Sequence, residues 1–126
     1  MNVQDFFRKK QNGERISMVT CYDAWSAKLI ANTDIDCILV GDSLAMVVYG
    51  HDTTLPVDTG IMAAHTAAVR RGAPGAFVVG DMPFISCRGS LDKAVENAGK
   101  LMRAGANAVK LEGADGNIET VRYLVE

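Results

Sequence analysis

Residues 76–112, AFVVGDMPFISCRGSLDKAVENAGKLMRAGANAVKLE, decide how this chain folds. Ala76 to Gly80 is a short apolar run rich in β-branched and aromatic residues, and Asp81-Met82-Pro83 closes it, so it reads as a strand. Ser90 is a good N-cap for a helix running to about Arg103, with Gly105 as its left-handed stop. Asn107 to Leu111 then reads as another strand. Strand, helix and strand in this order form a crossover unit, whose two strands lie parallel.

The same alternation extends outward. Upstream, Ile16 to Thr20 reads as a strand and Ala24 to Ala31 as a helix with Asp23 as its N-cap. Asp36 to Gly41, containing Cys-Ile-Leu-Val, is the next strand. A long loop, Asp42 to Pro56, leads to a helix over Val57 to Arg71, with Asp58 in its first turn and Gly72 just past its end. Downstream, Asn117 to about Val125 begins a further helix. A polar lead-in, Asn2 to Arg15, reads as a short helix and a turn at Asn12-Gly13. Four strand–helix units in series imply a parallel sheet with helices packed outside it.

Two architectures share this pattern. A doubly wound sheet puts its site where the strand order reverses, whereas a (βα)₈ barrel puts it at the carboxyl ends of all its strands. Four units are half of eight. We therefore expect an α/β chain supplying the first four βα units of a (βα)₈ TIM barrel, with residues 1–126 as its N-terminal half. A half barrel leaves two sheet edges unpaired, so completion by a further segment or a partner is expected.

Three acids follow three successive strands: Asp42, Asp81 and Glu112. Because side chains alternate along a strand, Ile38, Val40 and Asp42 are expected on one face, as are Phe77, Val79 and Asp81. Lys110 and Glu112 share a face of the last strand, opposite Val109 and Leu111. One acid after a strand is ordinarily a cap or turn residue, as Asp23 is read here. Three acids in phase, with a lysine in phase too, point to a site. Converging carboxylates repel unless a cation or protons compensate, and hard oxygen ligands suit Mg²⁺. Lys110 adds a positive charge for an anionic substrate, and Ser43 a hydroxyl and a backbone N–H.

Composition excludes other classes. The formal net charge is −2 and the longest basic runs are Arg8-Lys9-Lys10 and Arg70-Arg71, which make no footprint for nucleic acid or an anionic membrane. No apolar stretch approaches the ~20 residues of a membrane span, and the N-terminus lacks the order of a signal peptide. The chain reads as cytoplasmic. Cys21, Cys37 and Cys87 are odd in number and form no C-x-x-C pair, so they read as small apolar residues.

Five ordered blocks carry a resemblance: Val19-Thr20-Cys21-Tyr22-Asp23, Leu39-Val40-Gly41-Asp42-Ser43-Leu44, Gly50-His51-Asp52-Thr53-Thr54-Leu55-Pro56-Val57, Asp81-Met82-Pro83-Phe84 and Val109-Lys110-Leu111-Glu112-Gly113. With the segment His65 to Gly72 between them, the chain resembles the ketopantoate (3-methyl-2-oxobutanoate) hydroxymethyltransferases of pantothenate biosynthesis. The resemblance implies a Mg²⁺-dependent barrel that moves a one-carbon unit from 5,10-methylenetetrahydrofolate to 3-methyl-2-oxobutanoate through an enolate. It implies Asp42, Asp81 and Glu112 around the metal, directly or through water, and Asp42, Ser43, Asp81 and Lys110 on the 2-oxo acid. It further implies a homo-oligomer, a decamer in the family. The general-base glutamate belongs to the second half of the barrel, beyond residue 126, so none of the residues here is assigned as catalytic. Ala45, Ile85, Cys87 and Ala114 depart from the family pattern without removing a ligand. A related Mg²⁺-dependent lyase or mutase acting on a 2-oxo acid, or a non-catalytic half barrel, are the alternatives. His51 reads as a loop residue and His65 as a packed or surface residue of its helix. Gly41 and Gly80 read as points of close approach.

Overall fold

The computed structural model describes residues 1–126. Its elements run α1 (Val3–Gln11), β1 (Met18–Thr20), α2 (Ala24–Ile30), β2 (Cys37–Val40), α3 (Leu44–Val47), α4 (Thr59–Gly72), β3 (Phe77–Asp81), α5 (Leu91–Arg103), β4 (Ala108–Lys110) and α6 (Ile118–Val125). All three strand pairings are parallel and the order is β1-β2-β3-β4. That order decides between the two architectures. Strands added always on the same side leave no switch point, so these are successive βα units of a (βα)₈ barrel.

Local chemistry sets the element ends. Asp23, Asp58 and Ser90 each accept a hydrogen bond from the backbone N–H three residues on, capping α2, α4 and α5. The Asp58 cap starts α4 at Thr59, two residues later than its apolar pattern implied. Gly72 is the last residue of α4 and not a residue beyond it. A Cβ there would lie 2.3 Å from the Ala24 carbonyl oxygen and 2.8 Å from the Ala27 Cβ. Its bare backbone is what lets α2 and α4 touch. The loop expected over Asp42 to Pro56 contains the short helix α3, whose Leu44 and Ala45 are buried.

The two faces of the sheet differ. Ile38, Val40 and Val78 join Met62 and Val69 of α4 and Leu101 of α5 in the main core. The opposite face, the barrel interior, carries Cys37, Leu39, Phe77, Val79 and Ala108. Helix α1 closes the amino ends of the strands. Phe6 meets Phe77 edge to face, with ring centroids 4.7 Å apart, and Lys9 pairs with Asp36 at 2.6 Å. Asp36 also accepts from the Ser17 N–H and hydroxyl, and these bonds hold its carboxyl below the usual range. All three cysteines are buried free thiols. The outer edges of β1 and β4 are unpaired, and no helix is long and apolar enough to cross a membrane.

Candidate active site

The carboxyl ends of the strands bring four of the expected residues together. Asp81 ends β3 level with Lys110 of β4. Both point into the barrel interior, where the Lys110 ammonium lies 2.8 Å from Asp81 Oδ1. The other oxygen, Oδ2, accepts the Asp42 backbone N–H at 3.1 Å. Next in the chain, Ser43 Oγ is 2.9 Å from the Tyr22 hydroxyl.

The electrostatics follow from burial. Asp81 is 3% exposed. Burial pushes its carboxyl above the usual range, with Lys110 and the Asp42 N–H offsetting only part of the effect. For Lys110, partial burial works against the charge, but the Asp81 contact outweighs it and holds the ammonium above its ordinary value. Lys110 compensates Asp81 at Oδ1, and each carboxylate oxygen keeps a second lone pair. An oxygen in this state is free to take a further electropositive partner.

The strand-phase expectation for Asp42 is corrected. Leu39 pairs with Val79 and Val40 with Gly80, so the interior face of β2 carries Cys37, Leu39 and then Gly41. Ile38 and Val40 face the helices. Asp42 reaches the site because β2 ends at Val40 and the chain turns into α3, not because it continues their face. Gly41 holds the interior position beside Asp81. A Cβ there would stand 2.9 Å from Ser43 Oγ and 3.6 Å from Asp81 Oδ2.

Asp42 and Glu112 line a cavity of about 400 Å³ whose apolar side includes Met82, Phe84 and Ile85. Ile85 has φ +55°, a left-handed conformation that strains a β-branched residue. A larger cavity of about 570 Å³ opens around Arg88 and Asn117 at the starts of α5 and α6, but it contains none of these acids. The expected set of three metal ligands is not gathered as one cluster, since no three His, Cys, Asp or Glu side chains converge. The donors still fit Mg²⁺, which commonly takes one or two carboxylates and fills its other positions with water and substrate oxygens.

Tyr22, Tyr49 and His65, which no motif marks as site residues, join the edge of this site. Tyr22 touches Ser43 as described. His65 of α4 contacts the Tyr22 carbonyl through Nδ1 at 2.6 Å and the Tyr49 hydroxyl through Nε2 at 3.0 Å. No local pattern announces these links, because they join residues up to 43 positions apart. His51 is exposed and stacks beside Tyr49.

The half-barrel of parallel βα units has solved counterparts. The trigonal form of 2,3-dimethylmalate lyase, from the PEP mutase/isocitrate lyase superfamily, superposes with a TM-score of 0.71 at 17% identity, over 97% of this chain and 45% of its own. Oxaloacetate acetylhydrolase superposes at 0.66 and 12% identity, over 96% and 46%. These define the fold. A family model described as ketopantoate hydroxymethyltransferase matches residues 1–126, and the chain belongs to that family. It is 55% identical to the 3-methyl-2-oxobutanoate hydroxymethyltransferase of Coxiella burnetii (strain Dugway 5J108-111), over 100% of this chain and 48% of the relative. To that of Bdellovibrio bacteriovorus it is 56% identical, over 98% and 47%. The chain thus spans about half the length of the curated relatives it matches.

Proposed function

We propose that this chain is the metal- and 2-oxo-acid-binding half of a single (βα)₈-barrel hydroxymethyltransferase. In this reading the one-carbon unit of 5,10-methylenetetrahydrofolate is transferred to 3-methyl-2-oxobutanoate, giving 2-dehydropantoate. The observation that carries it is the Asp81–Lys110 pair beneath the Asp42 N–H, in a chain whose relatives bear that name. Lys110 has charge to offer a substrate carboxylate, and Ser43 a hydroxyl beside it. Asp42 and Asp81 would hold Mg²⁺, with Glu112 reaching it through water. When bound, the ion acts as a Lewis acid toward the keto oxygen, lowering the cost of removing the C3 proton. The buried Asp81 oxygen and the Asp42 main chain keep the substrate end rigid, and the glutamate that takes the proton belongs to the second half of the barrel. Homo-oligomer formation and a cytoplasmic setting are part of the same proposal.

The test is turnover of 3-methyl-2-oxobutanoate by the protein as its gene encodes it, with and without methylenetetrahydrofolate and Mg²⁺. Folate-dependent formation of the hydroxymethylated product is expected. The likeness of the fold to 2,3-dimethylmalate lyase favours a second reading, a 2-oxo acid lyase, which predicts folate-independent turnover. A non-catalytic half barrel predicts none.

A further inference from the structure

We propose that His65 is a positioning residue for the 2-oxo acid site, holding Tyr22 where its hydroxyl fixes that of Ser43. This rests on the function proposed above. A carbonyl oxygen can only accept, so at 2.6 Å from the Tyr22 carbonyl His65 Nδ1 must carry a proton. In the neutral ring Nε2 is then bare and accepts the Tyr49 hydroxyl at 3.0 Å. The carbonyl thereby selects the tautomer, and the two partners together fix the ring orientation.

Tyr22 is held from every side. The N–H of Cys21 before it donates to the Leu39 carbonyl at 2.9 Å. The Asp23 side chain after it caps α2. His65 takes its carbonyl, and its ring packs against the main core. With the backbone pinned, the Tyr22 hydroxyl meets Ser43 Oγ at 2.9 Å. Ser43 Oγ and Asp81 Oδ2 both flank the bare backbone of Gly41, so the rotamer of Ser43 decides what the substrate meets beside Asp81. A purely structural role for His65, tying α4 to α2, is already filled by the close crossing at Gly72 and Ala24. The partners of His65 lie instead on the two loops that frame the site.

The relay separates by substitution, because Asn places an N–H near the Nδ1 position while Gln reaches toward Nε2. In the protein as its gene encodes it, His65→Ala is expected to raise KM for 3-methyl-2-oxobutanoate roughly tenfold, the cost of one misplaced hydrogen bond, with little change in kcat. His65→Asn restores KM and His65→Gln does not. Tyr22→Phe reproduces the defect, and adding it to His65→Ala costs nothing more. An unchanged KM in His65→Ala, rescue by Gln and not by Asn, or additive losses each overturn the proposal. Should the Ala variant fail to fold, the Asn, Gln and Tyr22→Phe variants carry the comparison. Imidazole ¹⁵N chemical shifts of the wild type read the tautomer without turnover, and an Nε2–H form also overturns it. A wild type that is inactive toward this substrate would instead count against the proposed function.

Discussion

Lys110 Nζ and Asp81 Oδ1 lie 2.8 Å apart across one rung of the β3–β4 register, one end of the pair buried and the other open to the site. On the proposed function, charge on the open end is what an anionic substrate meets. Removing the lysine leaves the buried carboxylate uncompensated and, on the proposed function, takes a cationic donor from the substrate, so Lys110→Met is expected to lower kcat/KM by about 10² to 10³. The folded Lys110 value stands above 10.5, so its stabilisation is complete below that pH and is lost as pH rises through the folded value. The gap in unfolding temperature between wild type and Lys110→Met should therefore narrow as pH rises beyond 10.5.

Asp81 has the opposite consequence for stability. Its folded value is raised above 3.8 by burial, so its contribution is most favourable below 3.8 and is lost as pH rises through the folded value. Asp81→Asn removes that cost while keeping an acceptor for the Asp42 N–H. The substitution also strips Lys110 of its partner, so without added metal the unfolding temperature near pH 7 is expected to move less than in Lys110→Met, and the variant to be inactive. Added Mg²⁺ should raise the unfolding temperature of the wild type alone. A scan with and without the ion reads both.

Gly41→Ala tests the crowded interior position at the end of β2. The new methyl would crowd Ser43 Oγ at 2.9 Å and stand against Asp81 Oδ2. A displaced hydroxyl is expected to lower kcat/KM about tenfold or more, while the midpoint of urea unfolding changes little. Steady-state kinetics beside a denaturation curve separate the two effects.

Gly72→Ala tests the scaffold. Its methyl would stand 2.3 Å from the Ala24 carbonyl oxygen, which is backbone and cannot swing away. Overpacking at such a crossing is expected to destabilise by about 1–3 kcal/mol. The KM for 3-methyl-2-oxobutanoate should remain near wild type in whatever fraction folds. Urea unfolding measures the first and substrate titration the second.

Much of this was legible in the residues. Caps at Asp23, Asp58 and Ser90 and apolar runs at three of the strands mark most elements, because capping and periodicity are local. Alternation within β3 puts Asp81 in phase with Phe77 and Val79, as the structure has it, and only the β3–β4 register sets Lys110 beside it. Asp42 was placed by the wrong reason. Its phase with Ile38 and Val40 would have carried it to the helix side, and only the Leu39–Val79 register reveals that Gly41, not Asp42, stands opposite Asp81.

The alternation of strands and helices and the acids that follow the strands are written in residues a few positions apart, and the family in ordered blocks along the chain. Tertiary structure alone decided the strand order, which separates a barrel from a doubly wound sheet. It also decided that His65, 43 residues from Tyr22, meets that carbonyl. Both depend on how separate segments pack in register, and no local spacing encodes that contact.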